Sequence, residues 1–275
     1  MTVEKDYVLG THDDEIERLG LQHRVWRPKA TDAWQRAGFT AGQTLLDVGC
    51  GPGYATLDLA EIVGPGGRVV GVDRSRRFLT YLETQLQQRS IAHVETVEMD
   101  LDDTRLSDHL PDGADGAWCR WVYAFVQDPK ALLARVSGAL RPGGVMVIHE
   151  YFDYSTWRLI PPSPAQELFV EKVMETWRAT GGEVEIGTSL PGWLGELDFT
   201  IQSVRPLIEI VGPRDYFWEW PKAFVDVGVE RMRELGSMTP AEADSARQAL
   251  ADAERDPRSL MVTPGVIEII AKRSG

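Results

Sequence analysis

The stretch Thr44-Leu-Leu-Asp-Val-Gly-Cys-Gly-Pro-Gly-Tyr54 constrains this chain more than any other. Leu45, Leu46 and Val48 read as a short buried strand, and the glycines at 49, 51 and 53 then strip the following turn of Cβ atoms. Backbone in such a turn can meet a ligand directly. From Tyr54 the period becomes helical, with Ala55, Leu59 and Ile62 on one side, so the turn opens a helix. The helix's free N–H groups and positive dipole end then face the turn, which suits an anionic or polar cofactor edge. A glycine turn alone also serves as a tight strand-to-helix connection in other α/β proteins, and its meaning depends on the later strands of the same chain.

Two acids come in step with it. Val69-Val-Gly-Val-Asp73 is a second apolar strand ending in a carboxylate twenty residues beyond Gly53, the spacing at which an α/β nucleotide site places an acid on ribose hydroxyls. A third strand, Val94 to Met99, runs into Asp100-Leu101-Asp102-Asp103, where a carboxylate can accept from an adenine amino group. Together with Leu140-Arg-Pro-Gly-Gly144 before a fifth apolar strand, the set Leu46-Asp-Val-Gly-Cys-Gly-Pro-Gly53, Asp73 and Asp100 resembles the class I S-adenosylmethionine-dependent methyltransferases, over about residues 40 to 150. The core is similar to ubiquinone and menaquinone methyltransferases. The resemblance implies S-adenosyl-L-methionine as cofactor and S-adenosyl-L-homocysteine as product. It places the methionine end on Gly49, Gly51 and Gly53, the ribose on Asp73, and the adenine on Asp100 and the backbone of Leu101. Asp47, Arg74 and Gln22 complete the expected cofactor set. A dinucleotide fingerprint would instead want a third glycine at position 54, where Tyr54 stands, so the Gly-x-Gly-x-Gly spacing suits a cofactor without phosphate.

Charge narrows the acceptor. Lys and Arg number 29 against 42 Asp and Glu, a net charge of −13, so a polyphosphate partner is repelled over most of the surface and nucleic acid is not an expected partner. The only cysteines, Cys50 and Cys119, sit in the glycine motif and in an expected buried strand, where free thiols of a reducing compartment are the natural reading. No apolar run approaches the roughly 18 residues of a membrane span, and the first residues lack a signal peptide's charged and apolar regions. A cytoplasmic monomer or homodimer is expected, with no membrane partner and no metal site.

The expected fold is α/β: a Rossmann-like, doubly wound sheet of seven mostly parallel strands, the last antiparallel, with an N-terminal helical cap and helical lid insertions. A single domain spans 1–275, with the cap at 1–38, the cofactor core at 39–150, lids at 151–189 and 212–258, and the rest of the sheet at 190–211 and 259–275. Ile16, Leu19, His23 and Trp26 fall at helical spacing, and Thr31 caps a second short helix in this reading. Asp128-Pro129 opens the helix before strand five, while Ser163-Pro-Ala-Gln166 and Thr239-Pro-Ala-Glu242 are capping boxes opening lid helices. Pro206 marks the sixth strand as an edge or a bulge.

Methyl transfer from a sulfonium demands alignment more than functional groups, since orientation alone is worth an effective molarity of roughly 10⁵ to 10⁸ M. Where the acceptor needs deprotonation, His149 and Glu150 at the expected end of strand five are the candidate bases, with Asp153 and His23 behind them. Arg120, in a strand crossing the cleft, needs an anionic partner, and the cofactor's carboxylate is one; Asp47 or Glu150 is the other. Tyr7, Trp26, Trp121, Tyr151, Tyr154 and Trp218 are the expected substrate-binding rings, the last three from insertions richer in aromatics than the chain's 9%. They point to a small, aromatic or apolar metabolite as methyl acceptor. Two other functions share these residues: a cofactor-binding regulator without transferase activity, and an RNA-modifying methyltransferase.

Overall fold

The computed structural model describes residues 13–101 and 104–275. Its strands in chain order are β1 (Thr44–Val48), β2 (Arg68–Asp73), β3 (Val94–Glu98), β4 (Ala114–Arg120), β5 (Leu140–Asp153), β6 (Arg158–Ile160), β7 (Phe199–Leu207), β8 (Ile210–Val211), β9 (Leu260–Val262) and β10 (Gly265–Arg273). The helices are α1 (Asp13–Arg36), α2 (Tyr54–Val63), α3 (Arg76–Gln88), α4 (Pro129–Ala139), α5 (Pro164–Ala179), α6 (Leu190–Glu196), α7 (Glu219–Glu234) and α8 (Pro240–Arg255).

Seven strands form one sheet in the order β3-β2-β1-β4-β5-β10-β7. The first five run parallel, and β10 lies antiparallel between β5 and β7. The central strands are apolar on both faces, with Leu45, Leu46, Val69, Val70, Ala117 and Cys119 fully buried, because helices cover the sheet on both sides. Chain order reverses at β1, which pairs with β2 on one side and β4 on the other, and this switch point leaves a crevice beyond the carboxyl ends of the strands. Pro206 is tolerated in β7 because that strand is the free edge, paired only with β10. The cap at Asp128, which accepts from Ala131 N, and the complete capping box of Thr239 and Glu242 form as their sequences predict.

Several expectations change. The N-terminal region is one helix, α1, with Pro28 inside it and Thr31 in its body rather than at a cap. Proline costs one hydrogen bond there, and burial of Val25, Trp26, Ala30, Ala33 and Trp34 against the sheet and α7 outweighs it. At Ser163 only half of the box forms: Ser163 Oγ accepts from Gln166 N, while the Gln166 side chain donates to Trp157 O. Strand five continues to Asp153 because β10 pairs with it that far. The expected sixth strand divides, its last residues turning into a separate three-stranded sheet, β6-β9-β8, that ties residues 158–160, 210–211 and 260–262 together. Above this sheet α5, α7 and α8 pack on one another over an aromatic core that includes Trp157, Phe169, Trp218 and Phe224.

Candidate active site

A cavity of about 970 Å³ opens at the switch point, walled by the ends of β1, β2, β3 and β4, the starts of α2 and α3, and side chains of α1 and α7. Its floor is the glycine turn. Gly49, Gly51 and Gly53 all have positive φ, at 65°, 55° and 82°. A Cβ on Gly49 would lie 2.5 Å from Val122 Cγ2, and one on Gly53 would fall inside the Leu82 side chain. Only glycine therefore lets the turn sit between Val122 and α3. Helix α2 starts at Gly53 with no side-chain cap and no acid in its first turn, so its dipole end opens toward the cavity. Tyr54, at the position a dinucleotide fingerprint gives to glycine, donates to Ile16 O at 3.1 Å and fastens α1 over the turn.

Asp73 braces the same turn. Its Oδ2 accepts from Gly51 N at 2.8 Å and its Oδ1 from Ser75 N at 2.8 Å. Burial pushes this carboxyl above its ordinary value. A carboxylate has about four acceptor directions, so two remain for hydroxyl donors. Asp100, Leu101 and Arg74 lie on the same wall, at the ends of β3 and β2.

Arg120, Asp47 and His23 form the charged corner. Asp47 is buried at the end of β1, accepts from Thr56 Oγ1 at 2.6 Å, and is pushed up to about 6 by burial. Arg120 stacks over Trp121, 5.0 Å from the ring centroid, and donates through Nη2 to His23 Nδ1 at 3.2 Å. His23 Nδ1 must then be the acceptor, so Nε2–H donates to Asp58 Oδ2 at 3.0 Å. Burial lowers the pKa of His23 and keeps this tautomer neutral. Arg120 Nη1 is buried without a hydrogen-bond partner among the described residues, and burial drops the guanidinium to about 10. A buried cationic donor without a protein partner fits an anionic ligand group at this corner. Gln22 also lines the cavity, accepting from Arg18 Nη1 and Trp220 Nε1, both at 3.2 Å, and so joining α1 to α7.

The candidate bases lie elsewhere. His149 and Glu150 are both 0% exposed and neither reaches the cavity, because β5 extends past them and β10 and α1 close over it. His149 Nε2 pairs with Glu268 Oε2 at 3.1 Å, between Trp26 and Trp118. Glu150 accepts from Tyr151 N at 2.9 Å and from Ala124 N at 3.4 Å, and so holds the turn from 122 to 125 that forms the cavity wall. Of the expected substrate rings only Trp121 lines the cavity, held at φ 53° between the stacked rings of Tyr151 and Trp220. Trp26, Tyr151, Tyr154 and Trp218 are buried in the aromatic core instead, their faces covered by one another and by α5 and α7. Tyr7 lies outside the described residues. Phe125, Val126, Gln127, Thr180 and Arg231 complete the lining of the cavity.

A seven-stranded sheet in this order, with a glycine turn at the switch point and acids ending β2 and β3, defines the class I methyltransferase fold. Comparison with known proteins agrees. Residues 46–148 match the family described as "Methyltransferase domain". A demethylmenaquinone methyltransferase of Lactococcus lactis is 36% identical over 77 residues, 28% of this chain and 29% of that protein. One from Anoxybacillus flavithermus is 32% identical over 130 residues, 47% of this chain and 52% of that protein. The chain thus spans about a third to a half of the length of the curated relatives it matches. Among solved structures, the geranyl diphosphate C-methyltransferase of Streptomyces coelicolor A3(2) aligns over 91% of this chain and 80% of its own, with TM-score 0.55 and 16% identity. The [4+2]-cyclase SpnF aligns over 90% of this chain and 80% of its own, with TM-score 0.53 and 19% identity. Over residues 46–148 the chain is similar to this methyltransferase family, and its fold is that of the class I S-adenosylmethionine-dependent methyltransferases. Among the described residues no helix is long and apolar enough to cross a membrane, and no cluster of His, Cys, Asp or Glu could hold a metal ion.

Proposed function

We propose that this protein transfers the methyl group of S-adenosyl-L-methionine to a small, largely apolar or aromatic metabolite. The observation that carries this reading is one continuous cavity lined both by the glycine turn with the strand-end acids and by the apolar side chains of Trp121, Phe125 and Val126. When bound, the cofactor supplies an activated methyl group on a sulfonium. The chain's own residues orient and enclose. Arg120 and the N-terminus of α2 meet a carboxylate, and Asp47, buried beside Arg120, meets the ammonium of the same amino-acid end. Asp73 takes the ribose hydroxyls, and Asp100 with the backbone of Leu101 takes the adenine. His23, its tautomer set by Asp58, is the lining group able to accept a proton from an acidic acceptor once Arg120 turns to the carboxylate. This role replaces that of His149 and Glu150.

A second reading, binding of the cofactor without transfer, is separated from this one by turnover. Calorimetric titration with S-adenosylhomocysteine, with NAD as control, tests the cofactor. Screening aromatic metabolites for methylation then tests the transfer. Micromolar binding of the homocysteine product alone, together with turnover, is expected. Binding of neither by folded protein refutes the cofactor assignment, and binding without turnover on any metabolite pool supports the second reading.

A further inference from the structure

The charges lining the cavity are not evenly placed. Its acids, Asp47, Asp73, Glu98 and Asp100, all belong to the ends of β1, β2 and β3, on the cofactor wall. The lining from residues 121–127, α5 and α7 contains no acid among the described residues and has one cation, Arg231 of α7. Arg231 donates through Nη1 to Glu234 Oε2 at 3.0 Å, on the outer side of its helix. Its Nε is buried and has no partner among the described residues. A guanidinium bonds oxyanions in a fixed fork, and Arg231, which lines the cavity and keeps 35% of its side chain exposed, presents such a fork on the α7 side.

We propose that Arg231 is a specificity-determining residue that binds a single anionic group, a carboxylate or phosphate, on the methyl acceptor, whose apolar body lies along Trp121, Phe125 and Val126. This rests on the reading of the cavity as a joint cofactor and acceptor site, and it narrows the acceptor from apolar metabolites in general to aromatic or apolar acids. The two charge systems stay separate, Arg120 serving the cofactor's carboxylate and Arg231 the acceptor's anion, so an acidic acceptor is drawn into a protein whose net charge of −13 repels it elsewhere. Neutral analogues forgo the ion pair with Arg231 and bind more weakly, since a site built to bond a polar group discriminates against analogues that lack it.

The test uses the full chain saturated with S-adenosylhomocysteine and titrated with matched probes: indole-3-acetate against indole-3-acetamide, and 4-hydroxyphenylacetate against its amide. Each acid is expected to bind at least ten-fold tighter than its amide, a preference that shrinks at high salt. Arg231→Gln should abolish the preference and Arg231→Lys should keep part of it, with the homocysteine titration showing that each variant is folded. Equal affinities for acid and amide, no detectable binding of either, or a preference that survives Arg231→Gln overturns the proposal. Failure of the wild-type chain to bind S-adenosylhomocysteine is a different result and refutes the cofactor reading itself.

Discussion

Glu150 offers a test of the buried architecture with the sign worked out in advance. Its carboxyl is fully buried, and burial pushes it from an ordinary 4.5 up to about 7, even though backbone N–H groups of Ala124 and Tyr151 bond to it. The folded chain then holds this proton to about pH 7, whereas the unfolded chain releases it near 4.5. Between those values the folded state binds more protons, so the group's contribution to stability falls as pH rises through the window. At about 1.4 kcal/mol per pKa unit, the loss between pH 5 and pH 8 is about 2.5 kcal/mol. Glu150→Gln removes the titration but keeps the shape. Its amide nitrogen faces an N–H that the second carboxylate oxygen accepted from, a fixed cost of about 1 to 3 kcal/mol at any pH. Relative to wild type, the variant should therefore gain about 2.5 kcal/mol from pH 5 to pH 8, or roughly 5 to 10 °C in Tm for a chain of this size. Urea denaturation of both proteins at four pH values reads the difference directly, and contributions from Asp47 and other titrating groups cancel in it. Curves that stay parallel across the range would refute the buried, proton-holding Glu150.

Other perturbations separate binding from folding. Asp73→Ala should weaken S-adenosylhomocysteine binding by about 1 to 3 kcal/mol, through lost hydroxyl contacts and the lost brace on Gly51 N; unchanged affinity by calorimetry would mean that the ribose is elsewhere. Gly53→Ala should cost about 2 to 4 kcal/mol, combining a left-handed backbone with displacement of Leu82, while Gly51→Ala, where an added Cβ meets nothing, should cost only the backbone part of about 1 to 2 kcal/mol. Denaturation midpoints that rank the two variants the other way would contradict the turn's packing. Arg120→Leu should lower cofactor affinity at least ten-fold with only a small loss of Tm, since relief of a buried cation whose Nη1 has no protein partner among the described residues offsets the lost bond to His23 and the lost charge beside Asp47; a large drop in Tm with affinity retained would assign Arg120 to folding instead.

What the sequence disclosed and what it hid divide along a physical line. Signals confined to a few neighbouring residues were legible: the glycine turn, the strand-end Asp73 and Asp100, the caps at Asp128 and Thr239, and the edge-strand Pro206. The rest of the cavity lining was not, because nothing local marks it. Gln127, Thr180 and Arg231 meet only once α5 and α7 pack together over the sheet. The rings misled for the same reason. Trp26, Trp121, Tyr151 and Trp220 come from four separate segments and cover one another's faces, so their density signalled a second core and only Trp121 was left to the cavity. His149 and Glu150 sat at the end of strand five on any count of apolar residues, but β10, from more than a hundred positions away, extends that strand to Asp153 and buries both. The comparisons show the same division. The match to the methyltransferase domain family covers residues 46–148, the stretch that supplies most of the candidate cofactor residues, while the fold as a whole aligns over about nine-tenths of the chain at under 20% identity. A cofactor wall held in one contiguous segment constrains that segment's residues one by one. An acceptor wall assembled from helices far apart in sequence constrains only their packing, so Arg231 and its neighbours can change with the acceptor without disturbing the glycine turn.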